Sequence, residues 1–290
     1  MCRQRSSSRV STPSDAGRYG PRLVRPCRPG TTRFSLDRRQ LVAGVVLSLL
    51  TAGILSGPAA GVGTSQSRQP KLKRGMYFRT LPVGSPLPRG DSLCARLVTR
   101  RRWEPRKDNY AANHTVPSGR VQWPATPDQL HWHRWIAKRS RVSGRYTGTT
   151  DEIIRWAACK WGLDENMLRA VAVKESHWHQ NTVGDGGGSF GLMQVKDHYS
   201  DGTLDLGGYP WSQRSTALNV DFYGGWIRSC FTGDFYDGSD WLYGGKRIRG
   251  DTWGCVGAWY SGDWHSGSAQ DYVAQVKRLL AGKDWRHLRG

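Results

Sequence analysis

From Thr149 onward the apolar positions recur at helical spacing. Ile153, Ile154, Ala157, Ala158 and Trp161 fall on one face of a single helix. Thr149-Thr-Asp-Glu152 has the form of a capping box that opens this helix, and Gly162 can close it. Asp164 can cap a following helix that turns Met167, Leu168, Val171 and Ala172 inward. A further stripe at four-residue spacing runs through Leu218, Phe222, Trp226 and Cys230. Residues 251–260 read as a short buried helix. Ser268-Ala-Gln-Asp271 opens a last one, with Tyr272, Val276, Leu279 and Leu280 on one face. Residues 192–197 read as the start of another short helix. Residues 201–210 and 232–250 are loops rich in Gly, Asp and aromatic residues, of the kind that form the rims of a cleft. No period-two alternation competes, so the expected class is all-α with at most a small hairpin near residues 185–191.

The first half has a different pattern. Residues 41–56 form an uncharged apolar run, preceded by Arg38-Arg39 and followed by Gly57-Pro-Ala-Ala60. A basic stretch, an apolar stretch and small residues in that order read as a signal peptide, and sixteen residues are few for a membrane span. The stretch from Asp37 to Leu41 resembles a twin-arginine signal. Residues 61–75 are polar and basic, as in a flexible linker. Residues 92–103 can form a helix that tucks in Leu93, Cys94 and Leu97. Residues 104–148, rich in Pro, Arg, Asn and Trp, show little periodicity and read as an irregular extension wrapped on the helical half of the chain. The sequon Asn113-His-Thr115 is set aside as chance. Three parts are therefore expected: residues 1–60, 61–148 and 149–290.

Charge adds a constraint. Lys and Arg number 43 against 23 Asp and Glu. Residues 1–60 hold ten Arg and two acids, which leaves 33 against 21, or +12, for the rest. Such a surface favours polyanions, and an anionic cell wall is a natural one. No helix-turn-helix, RNA-binding or zinc-finger pattern supports nucleic acid as a partner. Fourteen Trp suit both a core and a carbohydrate cleft, where indole faces stack on sugar rings. Once a signal peptide is removed, Cys94, Cys159, Cys230 and Cys255 remain. An even number in an exported chain implies up to two disulfides, with three possible pairings. Cys230–Cys255 is favoured because both flank one Gly-rich segment. The His-Trp-His runs at 131–133 and 177–179 look like metal sites, but alternate residues on a helix point apart. No metal and no cofactor are expected.

Glu175 carries the chemistry. It lies four residues after Val171, so it falls on or beside the buried face of its helix. A glutamate there can pair with Lys174 or an Arg, can sit at a solvated helix end, or can act as a general acid whose pKa is raised by apolar walls. Ten residues later comes Asp185-Gly-Gly-Gly-Ser-Phe-Gly-Leu-Met-Gln-Val195.

Glu175-Ser176, Gly184-Asp185 and Ser189-Phe-Gly-Leu-Met-Gln-Val195 together resemble the core motif of lysozyme-like muralytic enzymes. These are the lytic transglycosylases of the soluble type (SLT) and the goose-type lysozymes. The resemblance spans about residues 149–275. It implies a lysozyme-like fold, peptidoglycan glycan strands as substrate, and Glu175 as the acid that protonates the leaving oxygen and then acts as base. In lytic transglycosylases the muramyl C6 hydroxyl is the nucleophile, a 1,6-anhydro end results, and no second carboxylate is needed. In a hydrolase a water held by one or two Asp attacks instead.

Asp185 occupies the Gly-Asp position of the goose-type motif at shorter spacing, and reads equally as a turn residue. Where that family has an Asp after Gln-Val, this chain has Lys196, with Asp197 one residue on. On a helix that shift turns a side chain by roughly 100°. The resemblance further implies that Ser189, Phe190, Gly191, Leu192, Met193 and Gln194 shape the floor of the sugar site. It also implies that Ala258-Trp-Tyr-Ser-Gly262 faces the acid, with Trp259 and Tyr260 in the slots of a Tyr and an Asn. Each of these residues can instead be core or turn. The expected protein is an exported, wall-associated, monomeric lytic transglycosylase. A hydrolytic muramidase and a non-catalytic wall-binding protein are the alternatives.

Overall fold

Two consecutive helices lie at the centre of the molecule and set the position of everything else. The computed structural model describes residues 71–118, 121, 138–196, 208–234 and 249–288. All belong to one unit, Gly63–Gly290. The signal-peptide expectation, His131–His133, Asp197 and most of the two cleft loops lie outside the described residues.

In chain order the helices are α1 (Asp91–Leu97), α2 (Tyr110–Asn113), α3 (Thr150–Trp161), α4 (Glu165–Ser176), α5 (Trp211–Arg214), α6 (Thr216–Thr232), α7 (Thr252–Ser261) and α8 (Gly267–Gly282). The mostly helical class is as expected. The capping box forms as the sequence implies: the Thr149 side chain accepts from Glu152 N–H, Glu152 reaches back, and Gly162 ends α3 in the left-handed region. Asp164 accepts from the Asn166 and Met167 amides and starts α4.

All twelve residues of α3 are buried, the polar ones included, where the sequence implies one solvated face. The polar face is covered because each charge meets a partner. Lys160 pairs with Asp221 of α6 at 2.7 Å, Asp151 with Arg169 of α4 at 2.7 Å, Arg155 with Glu165 at 3.3 Å and Glu152 with Arg100 at 2.9 Å. Buried charges need such pairing, and every one of these partners lies outside α3. On α6, Gly224 and Gly225 admit the Trp161 ring, since a Cβ on Gly224 would lie 2.4 Å from it.

The helix expected over residues 192–197 is absent from its described part, residues 192–196. Val183–Gly184, Ser189–Phe190 and Val195–Lys196 form a three-stranded antiparallel sheet, β1-β2-β3. Val183 pairs with Phe190, and Phe190 with Val195. Helix is blocked here because Gly191 (φ 80°) and Gln194 (φ 50°) are both left-handed. Lys196 therefore sits on a strand.

The extension is fastened more tightly than its sequence suggests. Cys94 of α1 is bonded to Cys159 of α3, and Cys230 of α6 to Cys255 of α7. The favoured pairing is thus present, and a second bridge joins the extension to the core. The helix expected over 92–103 stops at Leu97, after which the Arg101 amide and the Arg100 side chain both turn to Glu152. Within the expected linker, Gly75 N–H donates to Leu97 O at 2.8 Å. Arg228 of α6 donates to the Leu81, Pro82 and Gly162 carbonyls. Asn113, the sequon residue, is buried and donates to Glu104 and Thr150, which suits a structural amide. Among the described residues no helix is long and apolar enough to cross a membrane.

Candidate active site

Helix α4 delivers Glu175 at its C-terminal end, where His177 (φ 48°) and Trp178 (φ 68°) turn the chain sharply away. Trp178 is wholly buried and its indole N–H donates to Arg169 O, which fixes that turn. Arg106 and Asn109 of the extension donate to the His177 and Trp178 carbonyls at 2.8 and 2.7 Å. The helix end is thus held from outside the catalytic half.

Burial dominates the electrostatics of Glu175 and pushes its carboxyl up to about 7. The Tyr272 hydroxyl, from α8, donates to Glu175 Oε1 and opposes that shift, as does the Lys174 ammonium, while the Asp185 charge adds to it. The carboxyl is consequently part protonated at neutral pH, the state a general acid needs. Lys174 also lies over the Tyr272 ring, 6.0 Å from its centroid. Tyr223 of α6 is fully buried beside this group, and burial followed by the Glu175 charge raises its pKa well above the usual phenol value. Its hydroxyl has no hydrogen-bond partner among the described residues.

The sheet and its turns form the floor. Ser176 Oγ donates to Leu192 O at 2.9 Å and so couples the acid's helix to the glycine-rich turn. Gln180 Oε1 accepts from Leu192 N–H at 3.0 Å, and Asn219 Oδ1 from Met193 N–H at 2.8 Å. Asn219 also donates to Phe190 O at 2.7 Å. Gly191 packs against both amides, since a Cβ there would lie 2.4 Å from Asn219 Nδ2 and 2.5 Å from Gln180 Nε2. Leu192 and Met193 have fully buried side chains that belong to the core, which leaves their backbone to shape the floor. Gln194 turns its amide onto the Thr182 and Gly191 carbonyls. Phe190 is buried with its ring tilted against the exposed Tyr209, at 5.4 Å.

Asp185 is exposed and sits at a left-handed position (φ 48°). Ser189 Oγ donates to its Oδ2 at 2.7 Å and Lys196 Nζ lies 3.1 Å from the same oxygen. The Ser189 bond first, and Lys196 with it, holds the Asp185 carboxyl below its ordinary range. The residue that replaces the goose-type Asp is therefore an ion-pair partner of the other candidate carboxylate.

Trp259 and Tyr260 separate. Trp259 packs edge-on against Tyr223 and Trp226 and donates to Met193 O at 3.2 Å, so it braces the floor from below. Tyr260 is 58% exposed and stacks on Tyr272, ring centroids 4.7 Å apart and nearly parallel. The hydroxyl on Glu175 thus belongs to Tyr272, with Tyr260 behind it. In the sequence Tyr272 is one apolar position of a helical stripe, and only its hydroxyl marks it out. Gln180, Asn219 and Tyr223 carried no local signal at all. The second His-Trp-His run is not a paired site, since His177 is exposed and His179 Nδ1 meets Asp108 at 2.7 Å.

A half-buried acid over a small sheet, on a helical scaffold, is a lysozyme-like arrangement. Residues 152–215 match the family described as Transglycosylase SLT domain. The match runs from the first turn of α3 through α4 and the sheet to Ser215, and it takes in Glu175, Asp185 and Ser189–Gln194. The match covers 64 of the 290 residues, and over that segment the chain is similar to a transglycosylase domain of the lysozyme-like kind. No curated protein matches the chain.

Proposed function

We propose that the protein is an exported lytic transglycosylase that cleaves the MurNAc–GlcNAc bond of peptidoglycan with Glu175 as the single acid and base. The observation that carries this is the half-buried Glu175 carboxyl, pushed up to about 7 and bonded to Tyr272. Its proton goes to the glycosidic oxygen as the C1–O bond breaks and the GlcNAc end leaves as an alcohol. The resulting carboxylate takes the proton of the muramyl C6 hydroxyl as that oxygen bonds to C1. A 1,6-anhydro ring closes and Glu175 is protonated again.

Asp185 favours this reading over a hydrolase. One of its oxygens is occupied by both Ser189 and Lys196, which suits a charge that keeps Glu175 protonated more than a holder of the attacking water. Two disulfides agree with an extracytoplasmic site of action at the wall. A non-catalytic wall binder has no use for an acid held near neutrality. Mass spectrometry of muropeptides released by the protein tests the assignment. Products roughly 18 Da lighter than hydrolysis products, one water, are expected. Reducing ends would make it a muramidase. Glu175→Gln should lower release by at least about 100-fold.

A further inference from the structure

Outside the cleft, Arg100-Arg-Arg-Trp103 of the extension crosses the first turns of α3 and α4 between two hollows that share Arg101. One, of about 410 Å³, is lined by Tyr77, Arg101, Trp103, Arg169, Trp285 and Arg286 together with Asp151, Glu165 and Asn166. The other, of about 550 Å³, includes Arg102, Tyr110 and His114.

The charges at the floor of the first hollow are already matched. Asp151 accepts from Arg169 at 2.7 Å, and Glu165 accepts from Arg169 at 3.0 Å and Arg155 at 3.3 Å. Those at the rim are not. Arg101 and Arg286 are exposed, and neither guanidinium has a carboxylate partner among the described residues. In the same lining Trp103 is 40% exposed, its ring held by Trp178 at 5.5 Å. Next door Tyr110 is 68% exposed and rests on His114 at 4.3 Å. An indole of fixed orientation offers a face to a sugar or polyol unit with little entropy left to lose. The two guanidinium groups of the same lining offer paired donors to a phosphate or carboxylate.

We propose that this hollow is a second, non-catalytic binding site for an anionic glycan or polyol-phosphate polymer. Its repeat units would lie on Trp103 and its oxyanions on Arg101 and Arg286. Trp103 touches Trp178, three residues past Glu175, so a strand held here would anchor the protein while the acid works nearby. The wall context rests on the function proposed above; the ligand chemistry does not.

Binding is measured on the full chain carrying Glu175→Gln, so that no probe is cut. The probes are poly(glycerol phosphate), hyaluronan oligomers as a carboxylated glycan, a neutral chitin oligomer and a single-stranded oligodeoxynucleotide. Adding Arg101→Gln with Arg286→Gln should weaken binding of a phosphate or carboxylate polymer about tenfold, the scale of one charge-assisted contact. Chitin binding and the thermal midpoint should stay put. Trp103→Leu should weaken the same polymer. Which anionic probe responds identifies the oxyanion. Unchanged affinity for both, or an equal loss for chitin, overturns the site. An oligonucleotide that binds tighter than either and loses as much would also overturn it, in favour of nucleic acid. None of these measurements depends on bond cleavage, so this site and the role of Glu175 stand or fall separately.

Discussion

At the residue scale, the competition around Glu175 has measurable consequences. Its carboxyl works as an acid only while protonated, so the basic limb of the pH–activity profile reports its ionisation. Tyr272 stabilises the charged form. Removing that hydroxyl in Tyr272→Phe should move the basic limb to higher pH, with a loss of about tenfold or less in kcat/KM near pH 6. The Asp185 charge acts in the opposite sense, so Asp185→Asn should move the limb to lower pH. A purely structural role for either residue would change the amplitude and leave the limb in place. Stability follows the same linkage. The folded value of about 7 lies above the ordinary 4.5, so Glu175 destabilises the fold progressively between those pH values and by a constant amount above them. Glu175→Gln should therefore add about 3 kcal/mol to unfolding free energy at pH 8 and almost nothing at pH 4, as read by urea denaturation.

At the element scale, the sheet is the part that local pattern misjudged. Helices α3, α4 and α6 were legible because caps and apolar spacing are local signals. Glu175 was legible because its motif is contiguous with the glycine-rich run. The run from Leu192 to Val195 is apolar enough for a helix, yet the Leu192 and Met193 amides are taken by Gln180 and Asn219 from outside the segment. Tyr272 lies 97 residues from Glu175, and no spacing rule connects them. Gly191 shows how tight the floor is. Gly191→Ala, with a Cβ inside two amide groups and φ at 80°, should cost about 2–4 kcal/mol and reduce turnover. Gly186→Ala, at φ 64° with nothing within 4 Å, should cost about 1 kcal/mol. Thermal unfolding of the two variants decides whether packing or backbone strain sets the difference.

At the scale of the whole molecule, the extension helps build the site. Asn109 holds the turn after Glu175, and Arg100 covers the first turn of α3. Composition implied that residues 104–148 wrap the catalytic half. It did not show that the wrapping reaches the acid's own helix, because the contacts are single amides and carbonyls. The Cys94–Cys159 bridge has one more consequence. It closes a stretch of 65 residues, and Cys230–Cys255 closes one of 25. A protease that cuts once between residues 94 and 159, or between 230 and 255, releases nothing. The two pieces remain one covalent body and migrate as one band until a reductant is added. The chain thus has two long stretches in which a single cut separates no part from the rest. A nicked sample run with and without reductant would show this directly.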